Sequence, residues 1–267
     1  MFLDDWAYRG SHNFYDNRLK RLATDELAPE KWDYAGNNGC PILRNYIMKT
    51  FEKLHDEKTE AEETIKNDFI YEDDMQACFN TGLLDKTWQP VYFYCKPNNR
   101  RDMQKWMFNG FYNSYTLKYT DMPSQAANSL RRPNYFNDPG RLVFDVKLPI
   151  FPQWNHILDD PENFNRIPEF IRLGGRLFCQ NAIQGAINGA AKRIEANYKT
   201  AVPQWYKGQI QLLVPLYLTN PSSPDLALVT SLSEDKTQYF GHTCLTIDMA
   251  YSNARLIARP DSYWLNP

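Results

Sequence analysis

One stretch constrains the fold of this chain more than any other. Between Gly175 and Lys199, the residues Cys179, Ile183, Ile187, Ala190, Ile194 and Tyr198 recur every three or four positions. That spacing lines them along one face of a long α-helix. Ala182, Gly185, Ala186, Gly189 and Ala190 keep the neighbouring side narrow. A glycine inside a helix costs about 1 kcal/mol relative to alanine, so close approach of a sheet or a second helix is the expected offset. The helix must stop before Pro203, because the residue preceding a proline disfavours the α region.

Three extended segments follow. Ile210–Leu218 contains Pro215, which cannot donate to a ladder and predicts a sheet edge or a bulge. Leu226–Leu232 and Gln238–Ile247 flank Ser233-Glu234-Asp235-Lys236 and predict a hairpin. Asp248 stands where strand gives way to a short helix, and is expected as its N-cap. A helix followed by a run of strands reads as an α+β fold, a mostly antiparallel sheet packed against the small-residue-rich helix.

Upstream, a short helix is expected around Asn17–Leu27 and a chain break at Gly36-Asn37-Asn38-Gly39. Pro41 suits a first helical turn, and Leu43, Tyr46, Ile47, Phe51 and Leu54 give that helix an apolar face through about His55. The charged run Asp56–Lys66 should end it. Residues 77–95 predict a hairpin turning near Asp85, its strands rich in β-branched and aromatic residues. The Asn80-Thr81-Gly82 interruption is expected to leave backbone groups open. Lys96–Pro139 resists assignment, and Leu142–Val146 predicts a short strand. With 267 residues and no linker-like stretch, the chain is expected to form a single α+β domain over 1–267, with residues 1–40 as an irregular N-terminal extension packed on it.

Composition removes several functional classes. Thirty basic residues against 32 acidic ones exclude coating of nucleic acid by bulk charge, though not a local basic pocket. The five widely spaced cysteines and four histidines contain no C-x-x-C, H-x-x-x-H or H-E-x-x-H pattern, so no metal site is expected. The thiols read as reduced, partly buried residues of a cytoplasmic protein. No apolar run reaches membrane-spanning length, so neither a membrane partner nor a signal segment is expected. Phosphate-binding loops and the G-x-S-x-G elbow are absent. Asp159, Asp160 and Glu162 read as a solvated loop, and His242 as a satisfied sheet residue. Arginines interleave with aromatics at Asn98–Phe108 and Arg131–Phe136, the pairing that holds single-stranded nucleic acid, but also that of loop arginines beside core rings.

The densest polar region joins Arg193–Gln204 to Asp248–Arg255. Arg193 and Asn197 are four apart and share a helix face. Lys199, Thr200 and Gln204 follow at the helix end, while Asn253 and Arg255 project from the helix after Asp248. Guanidinium forks suit phosphate, and amides suit base edges or ribose hydroxyls. In this reading Arg193, Lys199 and Arg255 hold phosphate, Asn197, Gln204 and Asn253 read base or ribose, and Thr200 is a further ligand-binding candidate. Asp248 and Lys199 are the candidates for phosphoester chemistry, and Asn80 with Thr81 closes the pocket. The alternative is an interaction or scaffold domain whose polar blocks are caps and internal networks. No cofactor is named by these residues, and the oligomeric state stays open.

Several blocks carry a family resemblance: Leu43-Arg44-Asn45-Tyr46 with Thr50-Phe51, Phe79-Asn80-Thr81-Gly82-Leu83, Asn197–Gln204, and Leu245–Ile257. In these the chain resembles a bacterial family known as domain of unknown function 3825 (DUF3825). Its members are often fused to cold-shock or winged-helix RNA-binding modules, so the resemblance implies RNA as the partner. The ends of this chain are expected to leave no room for such a module. The resemblance raises the rank of Asn197, Lys199, Gln204, Asp248, Asn253 and Arg255 without giving them roles.

Overall fold

Central strands buried almost continuously along their length build two sheets in this protein, one in each half of the chain. A computed structural model describes residues 1–34, 39–100, 103–260 and 264–265. Positions 36–38 of the expected chain break, and Arg101 of the arginine-aromatic stretch, lie outside the described residues. Contacts gather into two compact units, 1–134 and 135–267.

In the first unit, α1 (Leu3–Trp6) and β1 (Ala7–Tyr8) precede α2 (His12–Arg21), which runs on as a wider π-turn over Leu22–Glu26. Then come α3 (Pro41–Glu60), a 3₁₀ segment (Glu63–Asp68), β2 (Ile70–Glu72), β3 (Ala77–Leu84), β4 (Pro90–Pro97) and β5 (Trp106–Asn113). The short helices α4 (Ser114–Leu117) and α5 (Ser124–Ser129) follow. The sheet order is β1-β5-β4-β3-β2, antiparallel except for β1 beside β5.

Both faces of this sheet are covered. Phe79 and Phe93 are cross-strand partners, stacked at 4.9 Å, and Phe51 of α3 reaches Phe79 at 5.4 Å. On the other face Cys78, Tyr92 and Tyr94 pack with Leu117, Met122 and Leu130. Helix α3 continues past His55 because its charged residues find partners: Lys53 pairs with Glu57, and Lys58 with Glu72. Glu72 also accepts from the indole N–H groups of Trp6 and Trp106, each at 2.8 Å. Burial opposes its charge, but the hydrogen bonds from Lys58 and the two indoles outweigh it and hold Glu72 below the usual carboxylate range.

The second unit holds β6 (Ile150–Pro152), the short helices α6 (Trp154–Leu158), α7 (Pro161–Phe164) and α8 (Glu169–Arg172), and the long α9 (Gly175–Ala196). Strands β7 (Val202–Tyr206), β8 (Gln209–Leu216), β9 (Leu226–Leu232) and β10 (Tyr239–Leu245) lead to α10 (Ile247–Ala254). The order β6-β10-β9-β8-β7 is antiparallel apart from β6 beside β10. Cys179, Ile183, Ile187, Ala190 and Ile194 pack on Leu212, Val214, Leu216 and Leu228, so the helix-on-sheet core stands as the periodicity predicts. The α+β architecture is therefore present, with mostly antiparallel sheets.

Several local expectations are corrected. Leu142–Val146 forms no strand: Phe144 is instead a loop anchor, stacked on Tyr239 at 4.1 Å, and the edge strand lies later, at Ile150–Pro152. Tyr198 leaves the core stripe because α9 ends at Ala196 and the chain turns. Gly185 and Gly189 face solvent, and a Cβ added to either would meet nothing within 4 Å, so no element packs closely against them. Thr246, not Asp248, caps α10, its hydroxyl accepting from the Met249 N–H at 3.4 Å. Pro215 sits within β8, beyond the end of β7, whose last partner is Leu213. The missing donor is tolerated there because one side of the strand carries no ladder.

Candidate functional site

Gln204 and Gln211 face each other directly in the β7–β8 ladder. Both side chains are buried, and a buried amide must find partners. Gln204 donates to Gln211 Oε1 at 2.9 Å and accepts from Asn253 Nδ2 of α10 at 3.2 Å. The two polar blocks of the sequence thus meet in space, and the amide chain Asn253–Gln204–Gln211 ties α10 to the sheet. Gln211 was missed by the sequence reading, because a cross-strand partner is visible only once the register is known.

The other candidates fall into two groups. Thr200 is buried, its hydroxyl 3.4 Å from the Arg193 carbonyl, while its own carbonyl accepts from the Trp264 indole at 2.8 Å. Arg193 lies over the Tyr217 ring at 4.0 Å and donates to the Pro221 carbonyl at 2.9 Å. Asn80 and Thr81, in the first unit, serve a bulge in β3. Asn80 accepts from the Gly82 N–H at 2.9 Å and donates to the Leu130 carbonyl at 3.2 Å. Thr81 donates to the Val91 carbonyl at 2.6 Å. Gly82, at φ +75°, supplies the left-handed conformation that the bulge requires. Of the backbone expected to be open there, the Gly82 N–H is taken by the Asn80 side chain.

The second group is accessible. Asn197 is exposed and its side chain accepts from the Lys199 N–H at 3.1 Å, shaping a single 3₁₀ turn, Tyr198–Thr200. That turn presents Tyr198, 61% exposed, and Lys199 to solvent. Asp248 is half-buried in the first turn of α10, where a carboxylate suits the positive helix end. Arg255 is half-buried at the far end of the same helix.

Beside this turn lies a cleft of about 250 Å³. Tyr198, Lys199, Ala201, Val202 and Pro203 contribute from the 3₁₀ turn and β7, and Ala254, Ile257 and Arg259 from α10 and the segment after it. Of the ten residues singled out from the sequence, Lys199 alone lines it. Its lining is apolar with two cations, a form the sequence reading did not anticipate because Val202, Pro203 and Ile257 look like ordinary core residues.

Elsewhere in the second unit, His242 has both ring nitrogens engaged: Nε2 lies 2.6 Å from the Ser231 hydroxyl and Nδ1 3.3 Å from Gln153 Oε1. Burial and the neighbouring His156 lower its pKa, so the ring is neutral at pH 7 and is the satisfied sheet histidine expected. All five cysteines are free and buried. Burial pushes the thiols up, Cys40 to about 11 and Cys244 to about 12, which leaves them protonated and inert. Arg131 pairs with Asp68, and Trp106 and Phe108 are core residues, so these parts of the arginine-aromatic stretches are structural. Among the described residues no group of three or more His, Cys, Asp or Glu stands close enough to hold a metal ion. No helix among them is long and apolar enough to cross a membrane.

The chain matches the profile of a family described as Domain of unknown function (DUF3825) over residues 23–264, nearly its whole length, and belongs to that family. No curated protein and no solved structure matches it.

Proposed function

We propose that this member of the DUF3825 family binds single-stranded RNA or a nucleotide-derived ligand at the cleft between the Tyr198–Thr200 turn and the end of α10. The observation that carries the reading is the exposed Tyr198 ring next to Lys199 on an apolar cleft that Arg259 also lines. Bases stack on aromatic faces, while phosphates seek the cations beside them. At about 250 Å³ the cleft is smaller than the ~300–1,000 Å³ of ordinary drug-sized pockets. That volume suits one base, with sugar and phosphate left at the cationic rim. Asp248 does not line the cleft, so the reading is of binding, without a phosphoester reaction.

The near-neutral charge of the chain makes this prediction sharp, because affinity must come from a few local contacts. Fluorescent single-stranded RNA and mononucleotides are titrated against wild type, Tyr198→Ala, Lys199→Ala and Arg255→Ala. Loss of stacking in Tyr198→Ala should weaken RNA binding roughly tenfold. Lys199→Ala should flatten the dependence of log K on log salt by about 0.7, the share of one phosphate contact. Equal retention of RNA by wild type and all three variants would refute the assignment.

A second reading has its own support. The closed amide chain Asn253–Gln204–Gln211 is what an interaction or scaffold domain would use to fix α10. Under that reading wild type retains neither RNA nor nucleotide.

A further inference from the structure

In the second unit, the corner between α8 and α9 turns four large apolar side chains outward. Phe170 is 58% exposed, Leu173 81%, Leu177 70% and Phe178 48%. Their backbone is pinned from beneath. Ile171 and Cys179 belong to the core of this unit, and the Cys179 thiol donates to the Ile171 carbonyl at 3.4 Å. Gly175, at φ +79°, makes the turn from α8 into α9 that a side chain would strain. Gly174 makes room for the Phe178 ring: a Cβ there would stand 2.5 Å from the ring's Cδ1. The fold thus holds this aromatic ring at the surface, beside Leu173 and Leu177 in the chain.

Area and charge together select what covers this corner. Side chains of this size bury ~150–250 Å² each, so four exposed to this degree present on the order of 500 Å² of apolar surface. That lies in the upper part of the ~300–600 Å² range of the largest patch on a typical monomer. Two such patches face to face remove roughly 1,000 Å² from water, the threshold for a specific interface. The charges of the segment argue against a polyanion. Arg176 donates from Nε to the Asp159 carboxylate at 2.7 Å and from Nη2 to Asn155 at 3.2 Å. Arg172 donates to the Ile167 carbonyl at 2.9 Å and to Asn165 at 3.1 Å. Glu169, next to Phe170, is exposed. Anionic lipid needs free cations beside the apolar surface, and here both arginines of the corner are engaged by neighbours.

We infer that the α8–α9 corner is a self-association surface, on which a second copy of this chain packs its own Phe170, Leu173, Leu177 and Phe178 about a two-fold axis. A two-fold contact sets the same patch on both sides. A patch of phenylalanine and leucine satisfies that condition without a complementary charge. The area stands at the threshold and no more, so the dimer forms and dissociates in the micromolar range.

The test is sedimentation equilibrium of the full chain across the micromolar range. The wild-type mass should rise with concentration from one chain toward two. Leu177→Glu should raise the dissociation constant roughly a hundredfold, because the lost burial and the added charge count twice across the axis. Its unfolding midpoint, read at a concentration where wild type is monomeric, should be unchanged, since Leu177 packs little within the chain. A second variant locates the contact. All five natural cysteines are buried, so Leu177→Cys supplies one reactive thiol, and a short bismaleimide should link it into dimers. Met75→Cys, equally exposed but in the first unit, should not be linked. A wild type that stays monomeric throughout would overturn the inference, and so would equal linking at both positions. Flotation with neutral or anionic vesicles that Leu177→Glu abolishes, without a dimer in solution, would assign the corner to a membrane surface instead.

Discussion

Asn253 shows how one side chain can look like a ligand contact in sequence and act as a fastener in the fold. Its amide N–H donates to Gln204 Oε1, which is buried beside α10. Truncation to Asn253→Ala leaves that oxygen unsatisfied, and an unsatisfied buried polar group costs about 1–3 kcal/mol. Denaturant unfolding of Asn253→Ala should show this loss in the midpoint with an unchanged slope. Unaltered stability would mean that the amide chain is not what holds α10. Lys199 is the contrasting case. It is exposed beside a turn shaped by Asn197, so its removal is expected to alter ligand affinity and leave folding intact.

Among the elements, α9 gives the clearest separation of what periodicity can and cannot tell. Its buried stripe follows the three-and-four spacing, and its sheet partner is the one the succeeding strands supply. Gly185 and Gly189 obey a different logic: open space surrounds them, so their flexibility is not offset by packing. Gly185→Ala and Gly189→Ala should each raise stability by about 1 kcal/mol, since alanine is the better helix former and meets no neighbour. A loss of stability on thermal unfolding would show that something packs on this face. The helix at Pro41 and the hairpins at 77–95 and 226–245 were equally legible, because their periods are 3.6 and 2. Strand β5 was not, since its run Trp106–Asn113 mixes aromatic residues with Asn109, Gly110 and Asn113 and carries no clean polar face. The stretch Leu142–Val146 misled in the opposite sense. Its apolar residues anchor a loop through Phe144, and hydrophobicity alone does not distinguish an anchor from a strand.

At the scale of the whole molecule, each half of the chain builds a five-stranded sheet whose first strand joins an edge in parallel, β1 beside β5 and β6 beside β10. The boundary at residues 134 and 135 falls in a stretch without linker composition, Arg131-Arg132-Pro133-Asn134-Tyr135, and so is not legible in the residues alone. The candidate site was legible in part. Sequence placed the two polar blocks together, and Asn253 and Gln204 do meet. The apolar cleft beside them depends on Val202, Pro203 and Ile257, whose exposure is decided by where α10 ends. Photo-cross-linking tests the central claim most directly. Single-stranded RNA carrying 4-thiouridine is irradiated with the wild-type chain, and the attached peptides are mapped by mass spectrometry. The account predicts attachment within residues 198–203 and 254–260, reduced in Tyr198→Ala. Attachment confined to other peptides, or a yield indifferent to Tyr198, would contradict it.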